Sequence, residues 1–178
     1  MTVINADRLR LRNMVEADAA ELHRIYSNVD AMRFWSKAPF TDPMQTQEFV
    51  QGVIAADPAT TIEFVIEHEG RVIGRAGFWR PPEIGYILHP DFWGQGFGSE
   101  AISALLEYGF QERGLTEVIA DVDPNNTASL SLLKRLGFIE AGREKNTIQI
   151  SGVWYDSIYM RLSATDWRAL RQSSTARS

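Results

Sequence analysis

Hydrophobic residues recur along the first third of the chain at two spacings, which predict one strand and two helices. Leu9 and Leu11 alternate with arginines, a pattern typical of a strand with one solvated face. Residues 16–26 and the segment after Pro43 place apolar residues three and four positions apart, which indicates amphipathic helices.

The rest of the chain predicts hairpins on either side of one strand–loop–helix–strand unit. Residues 61–67 and 72–79 form two strands joined by a turn at 69–71, and residues 83–88 form the next strand. A helix ending near Gly114, a strand at 118–122 and a helix at 126–136 follow, and two strands within 138–162 meet at 151–152. This order predicts a mixed α/β fold. We expect a single domain over residues 1–170 and a polar tail at 171–178.

Composition narrows the classes of protein that the chain can belong to. Its 178 residues suffice for one domain with a sizeable core, and its net charge of −5 gives no general attraction to nucleic acid or anionic membranes. The absence of cysteine excludes disulfides, thiolate zinc sites and a cysteine nucleophile. The first twelve residues lack the apolar segment of a secretory signal. We therefore expect a cytoplasmic protein with no nucleic-acid partner, no membrane partner and no metal, whose oligomeric state stays open.

The candidate chemistry lies in the middle unit, where Gly94, Gly96 and Gly98 separate a strand from a helix. Glycine permits tight turns and close approach of a ligand, and the unpaired N–H groups at a helix start bind anions. The dinucleotide pattern G-x-G-x-x-G fails at Ser99, and the Gly-Lys-Ser/Thr of a P-loop is absent. The spacing favours another kind of phosphate site, and a glycine loop without a ligand is the alternative.

These motifs resemble the GNAT N-acetyltransferase superfamily, whose acetyl-CoA loop has the pattern Gln/Arg-x-x-Gly-x-Gly/Ala. Residues 93–98 read WGQGFG, with Trp93 in place of Gln or Arg. The branch that the chain resembles is that of bacterial ribosomal-protein N-terminal acetyltransferases. Further likeness lies in RLRLR at 8–12, VIG at 72–74, Asn126-x-x-Ser129, LGF at 136–138 and Asp166-Trp167.

The resemblance implies a mixed, mainly antiparallel twisted sheet flanked by helices, and an enzyme that moves the acetyl group of acetyl-CoA to a primary amine by direct attack. The amine would belong to a protein N-terminus or a small molecule. Backbone N–H groups would bind the pyrophosphate at Gln95, Gly96, Phe97, Gly98 and Ser99. The pantetheine arm would pair with the strand near Tyr86, Ile87 and Leu88, and an N–H near Tyr86 would stabilise the oxyanion.

The resemblance also implies proton-transfer roles. The family's frequent tyrosine acid falls on Leu133, whereas the branch assigns proton donation to a serine that corresponds to Ser129. Asn126 would hold the cofactor or the loop, and plain helix capping is the alternative for both polar residues. Glu83, at the start of a strand, is the candidate general base, with an exposed edge carboxylate as the alternative.

Several other polar residues have a structural interpretation beside a functional one. Asp121 and Asp123 could bind a cationic substrate, but turn and cap chemistry is favoured. His89 could titrate near neutral pH, but closing the strand is the more common role. His23 and His68 are expected to be solvated.

Aromatic residues suggest a partly apolar acceptor site, with core packing as the default. The candidates lie in the segments 32–35, which includes Phe34 and Trp35, 79–80 with Trp79, and 154–155 with Trp154 and Tyr155. A non-catalytic acyl-CoA-binding module remains an alternative function, and a dinucleotide-dependent oxidoreductase is disfavoured.

Overall fold

Antiparallel hairpins dominate a computed structural model of the chain, which describes residues 2–175. The chain divides into two units, Met1–Leu105 and Leu106–Ser178. The strands described in the first unit are β1 (Val3–Asn5), β2 (Arg10–Asn13), β3 (Ile62–His68), β4 (Arg71–Arg80) and β5 (Glu83–Leu88). Each is antiparallel to the next one along the chain. Glu69 and Gly70 join β3 to β4 with φ of 50° and 77°, as a tight right-twisted hairpin requires.

Helices cover one face of this sheet. They are α1 (Ala19–Tyr26), α2 (Val29–Met32) and α3 (Pro43–Ala55). Helix α3 begins with a capping box between Asp42 and Gln45. The apolar cluster beneath the helices joins Leu22, Ile25 and Val50 to Val65 of β3 and Ile87 of β5. Burial of these side chains supplies the main stabilising free energy of the unit.

A fourth helix and a second group of strands complete the chain. Helix α4 (Phe97–Gln111) crosses the boundary at Leu105. The second unit continues with β6 (Glu117–Val122), α5 (Thr127–Arg135), β7 (Ile139–Ile150), β8 (Val153–Ser163) and α6 (Ala164–Thr175). Strand β8 lies between β6 and β7 and is antiparallel to both. Gly137, at φ 95°, ends α5 as the sequence predicts.

The predicted mixed, mainly antiparallel α/β class is confirmed, and the predicted strands and helices lie within a few residues of their expected positions. The sequence analysis missed β1, α2 and α6. The polar tail expected at 171–178 is helical as far as Thr175, and residues 176–178 lie outside the described part. Within residues 2–175, no helix combines the length and apolarity needed to cross a bilayer.

Candidate active site

The glycine loop leads from β5 into the first turn of α4. Gly94 and Gly96 have φ of 70° and 82°, a region that strains any residue with a Cβ. Gly98 lies inside the first turn of α4 without a positive φ. The first hydrogen bond of the helix runs from the Glu100 N–H to the Gly96 carbonyl, at 3.0 Å. The N–H groups that open α4 therefore belong to Phe97, Gly98 and Ser99, as an anion site at a helix start requires.

Two side chains fix the loop to the structure before it. The Trp93 indole Nε1 donates to the Leu88 carbonyl at 3.0 Å, so the loop is attached to the end of β5. The Gln95 amide Nε2 donates to the Asp91 carbonyl at 2.8 Å. Because the Gln95 amide nitrogen donates to Asp91, the donor that Gln95 would offer to a ligand is its backbone N–H.

A third residue, Arg8, braces the loop from the bend between β1 and β2. Its backbone N–H and its Nε donate to the two Glu100 carboxylate oxygens at 2.6 Å and 2.8 Å, and its Nη1 donates to the Gln95 carbonyl at 3.1 Å. The guanidinium carbon stands 4.3 Å above the centre of the Phe97 ring. The Phe97 side chain is buried, so its contribution to a ligand would be its N–H.

Strand β5 presents alternate main-chain groups to its two sides. The His89 N–H donates to the Ile73 carbonyl at 2.9 Å, and the register pairs Ile87 with Arg75. Since the main-chain groups of an antiparallel strand alternate, those of Ile87 face β4, and those of Tyr86 and Leu88 point to the opposite edge of β5. The side chains of Ile87 and Leu88 are buried as core residues.

The start of α5 brings together the two polar residues singled out in the second unit. Asn126 is the N-cap, and its Oδ1 accepts from the Ser129 N–H at 3.1 Å. The capping interpretation therefore holds for the Asn126 side chain, whose oxygen satisfies an N–H of the first turn. Leu133, the position on which the resemblance places a tyrosine acid, is fully buried.

A cluster of polar side chains extends across β6, β7 and β8. Tyr159 Oη donates to Glu144 Oε2 at 2.9 Å, and this hydrogen bond raises the pKa of the Tyr159 hydroxyl. Desolvation raises the pKa of the Asp121 carboxyl above its ordinary value, although a hydrogen bond with Ser157 acts in the opposite direction. Asp123 instead accepts from the Asn125 N–H at 2.7 Å, as expected of a turn residue.

A buried cation lies on the helix-covered face of the first unit. Arg75 Nη1 donates to Glu63 Oε2 at 2.5 Å, and Arg75 Nε donates to the Tyr26 hydroxyl. Burial alone would lower the pKa of Arg75, but Glu63 and Tyr26 outweigh it and raise the pKa. The guanidinium carbon also stands 4.7 Å from the centre of the Trp35 ring.

Trp35 connects this buried cation to β5. A Cβ on Gly85 would stand 3.9 Å from Trp35 Cη2, so the indole lies over the strand next to Tyr86. In the register, Gly85 pairs with Gly77 of β4. The half-buried Trp35 is therefore the aromatic candidate that lies against β5, whereas Trp79 and Trp154 are exposed.

The remaining candidates occupy structural positions. Glu83 is half-buried at the start of β5, opposite Arg80. His89 caps the short turn after β5 through the Asp91 N–H, at 3.3 Å. His23 and His68, which we expected to be solvated, are half-buried, and each has a hydrogen-bond partner. His23 Nδ1 lies 2.8 Å from the buried Thr46 hydroxyl, and His68 Nδ1 lies 3.0 Å from the Arg8 carbonyl.

Sequence reasoning missed the bracing of the loop. Arg8 was noted as part of an opening motif, without a contact to residues 95–100. Trp93 gave no signal of its contact with the Leu88 carbonyl either, because the residue is 49% exposed and its N–H could equally donate to water.

Comparison with known proteins places the chain in a family. The model of the acetyltransferase (GNAT) domain matches residues 8–139. An uncharacterized N-acetyltransferase p20 of Bacillus licheniformis is 32% identical over 169 residues, which cover 90% of this chain and 94% of that protein. The spermidine N(1)-acetyltransferase of Escherichia coli K12 is 24% identical, over 88% of this chain and 86% of that protein.

A solved structure shows the same fold. A ribosomal L7/L12 α-N-protein acetyltransferase in complex with coenzyme A superimposes with a TM-score of 0.81 at 22% identity, covering 91% of this chain and 98% of that one. The resemblance inferred from the motifs is therefore confirmed, and the chain belongs to the GNAT acetyltransferase family.

Proposed function

We propose that the protein transfers the acetyl group of acetyl-CoA to a primary amine by direct attack. The observation that carries this proposal is the loop at Gly94 and Gly96, which turns in the left-handed region and enters α4 directly, in a chain of the GNAT family. The family match covers residues in both units, which favours one acetyltransferase domain. The lack of cysteine favours a cytoplasmic location.

The cofactor proposal rests on main-chain groups. The N–H groups of residues 95–99 would bind the pyrophosphate, aided by the positive end of the α4 dipole. The pantetheine amides would meet the main chain of Tyr86 and the N–H of Leu88, which point away from β4, since the Leu88 carbonyl already accepts from Trp93. The Tyr86 N–H would stabilise the thioester oxyanion. Ile87 would contribute through packing, because its main chain faces β4.

The reaction requires proton movements at the acceptor nitrogen and at the leaving thiolate. The acceptor ammonium first loses a proton, and we assign Glu83 as the base that accepts it, through water. The amine nitrogen then attacks the thioester carbon, and the extra proton on this nitrogen passes to solvent water. The C–S bond of the tetrahedral intermediate breaks, the amide forms, and the thiolate leaves. We assign Ser129 as the donor that protonates this thiolate, with Asn126 keeping the first turn of α5 in place.

The acceptor is a primary amine on a protein N-terminus or a small molecule. The relatives compared above include a ribosomal-protein acetyltransferase and a spermidine acetyltransferase, and both substrates carry such amines. On this chain, Trp35 over Gly85 would form an apolar wall beside the thioester.

The test is thiol release from acetyl-CoA with a panel of polyamines, amino sugars and N-terminal peptides. We expect at least one class to release thiol faster than a blank without amine, and Glu83→Gln to slow that release. If calorimetry shows tight acetyl-CoA binding but no amine of the panel releases thiol, the non-catalytic binding module would be favoured. Absence of binding would contradict the cofactor proposal.

A further inference from the structure

The proposed phosphate loop supplies no positive side chain of its own. Residues 93–99 contain neither lysine nor arginine. Backbone N–H groups and a helix dipole contribute about half an elementary charge at the helix start. A pyrophosphate carries more negative charge than that, so a further cation at the loop would strengthen its binding.

Arg8 brings a guanidinium to this loop from another part of the chain. Its Nη1 donates to the Gln95 carbonyl at 3.1 Å, and its Nη2 lies 3.4 Å from where a Cβ on Gly96 would stand. The guanidinium therefore lies against the turn at residues 95–96 that opens α4. The Arg8 side chain is 46% exposed, so a ligand at the loop can reach it.

Contacts on the other side of Arg8 hold the guanidinium in this position. Both Glu100 oxygens accept from Arg8, one from the backbone N–H and one from Nε. The Arg8 carbonyl lies 3.0 Å from His68 Nδ1, and the His68 ring lies 4.6 Å from the Phe97 ring. An arginine fixed through its Nε and main chain can offer its Nη groups to an anion with little loss of side-chain entropy.

We propose that Arg8 is a ligand of the coenzyme pyrophosphate and supplies the charge that residues 93–99 lack. The inference rests on the proposed function, because it requires acetyl-CoA to bind at this loop. It adds a side chain that lies outside the glycine motif, and it gives Glu100 the role of a positioning residue for Arg8.

The test compares the affinity for coenzyme A of the wild type, Arg8→Gln and Arg10→Gln by calorimetry. Loss of one charged hydrogen bond predicts roughly tenfold weaker binding by Arg8→Gln. Arg10 is the matched control, since its side chain is 50% exposed and pairs with Glu67 on the neighbouring strand. We expect Arg10→Gln to bind as the wild type does. If both variants bound coenzyme A equally weakly, the proposal would be overturned. The loss would then come from removing a positive charge from this region and not from a contact with Arg8.

Truncated ligands identify the phosphate that is contacted. Dephospho-coenzyme A keeps the pyrophosphate, so Arg8→Gln should weaken its binding by the same factor. Pantetheine, titrated at millimolar concentration, has no phosphate and should bind wild type and variant equally. A loss confined to intact coenzyme A would assign Arg8 to the 3′-phosphate instead, and a loss with pantetheine would mean that Arg8 acts through the fold. Either result would overturn the proposal.

Glu100→Gln separates a ligand role from a purely structural one. It breaks the ion pair but keeps the Arg8 cation, so it should lower the melting temperature about as much as Arg8→Gln does and weaken coenzyme A binding by a smaller factor. Equal affinity losses in the two variants would contradict a ligand role for Arg8. Tight binding of coenzyme A by wild type and Arg8→Gln alike would overturn this inference alone, whereas no binding by the wild type would overturn the proposed function as well.

Discussion

Arg75 and Glu63 form an ion pair in the interior of the first unit, with 2.5 Å between Arg75 Nη1 and Glu63 Oε2 and side chains only 7% and 3% exposed. Desolvating two charges is costly, and the cost is offset only when both are well hydrogen-bonded. The Tyr26 hydroxyl accepts a further hydrogen bond from Arg75. This arrangement holds the guanidinium against the Trp35 ring, so the buried ion pair supports the residue that we propose to contact the acceptor.

Glu63→Gln should destabilise the protein strongly, because it leaves the Arg75 charge buried without its counter-ion. Removing one partner of such a pair costs about 3–5 kcal/mol. The free energy of unfolding in urea measures the effect. Glu21→Gln is the control, since Glu21 pairs with Arg24 at the surface, where we expect a loss below about 1 kcal/mol. Equal losses in the two variants would show that the buried pair does not stabilise the core.

Tyr26 should make the protein sensitive to alkaline pH. Burial raises the pKa of its hydroxyl from 10.0 to about 12, although Arg75 acts in the opposite direction. Between these pH values the unfolded chain loses the Tyr26 proton and the folded protein keeps it, so the free energy of unfolding should fall as pH rises from 10 to 12. Urea unfolding across this range should show a shallower fall for Tyr26→Phe than for the wild type. Identical slopes would contradict the assignment.

Gly96→Ala should weaken coenzyme A binding at the loop. A residue with a Cβ is strained at φ 82°, and relief of that strain would move the N–H groups that open α4. Gly70→Ala is matched in backbone strain, since Gly70 has φ 77° and lies in the hairpin between β3 and β4. We expect a similar loss of stability from both substitutions and a loss of affinity, measured by calorimetry, from Gly96→Ala alone.

Ser129→Ala should lower kcat at least tenfold while the affinity for acetyl-CoA changes little, if the hydroxyl protonates the departing thiolate. The backbone hydrogen bond to Asn126 survives this change, since it uses the Ser129 N–H. Ser131→Ala, on the exposed side of the same helix, should keep wild-type kinetics. Steady-state thiol release measures kcat for both variants. An unchanged kcat for Ser129→Ala would exclude Ser129 as the proton donor and leave it only a structural role at the start of α5.

Trp35→Ala should raise KM for the acceptor and leave the acetyl-CoA affinity unchanged, because the indole lies over Gly85 on the proposed acceptor side. Trp154→Ala removes an indole that is 54% exposed in the second unit and serves as the control. A rise in KM of roughly tenfold would correspond to the loss of about 1.4 kcal/mol of apolar contact. A rise in KM of the same size for Trp154→Ala would argue against a contact between Trp35 and the acceptor.

The features predicted well from the sequence depend on residues close together in the chain. The glycine loop, the turn at Glu69 and the end of α5 at Gly137 follow from local backbone preferences. Helix α6 was missed although Ser163 caps it. The Ser163 Oγ accepts from the Asp166 N–H at 3.1 Å and donates to the Asp166 carboxylate at 2.6 Å. Strand β1, three residues long, is too short to show a period.

The features that sequence reasoning could not supply are contacts between distant segments. Arg8 and Glu100 are 92 positions apart, and no local pattern pairs them. Arg75, an arginine within the apolar run VIGRAGF, was a visible signal of a buried charge, but its partners lie on α1 and β3. Both contacts depend on burial and on pairing between distant segments, which a local sequence pattern does not show.

Gly77 and Gly85, which pair across β4 and β5, differ in whether a larger residue can replace them when the range of acceptors is changed by directed evolution. A Cβ at position 77 would stand 2.2 Å from the Ile62 carbonyl and 2.6 Å from the Glu63 carboxylate, so larger residues there require the main chain of β3 to move. At position 85 the nearest heavy atom would be Trp35 Cη2, at an ordinary contact distance. A mutagenesis library should therefore vary Gly85 together with Trp35 and keep Gly77 fixed.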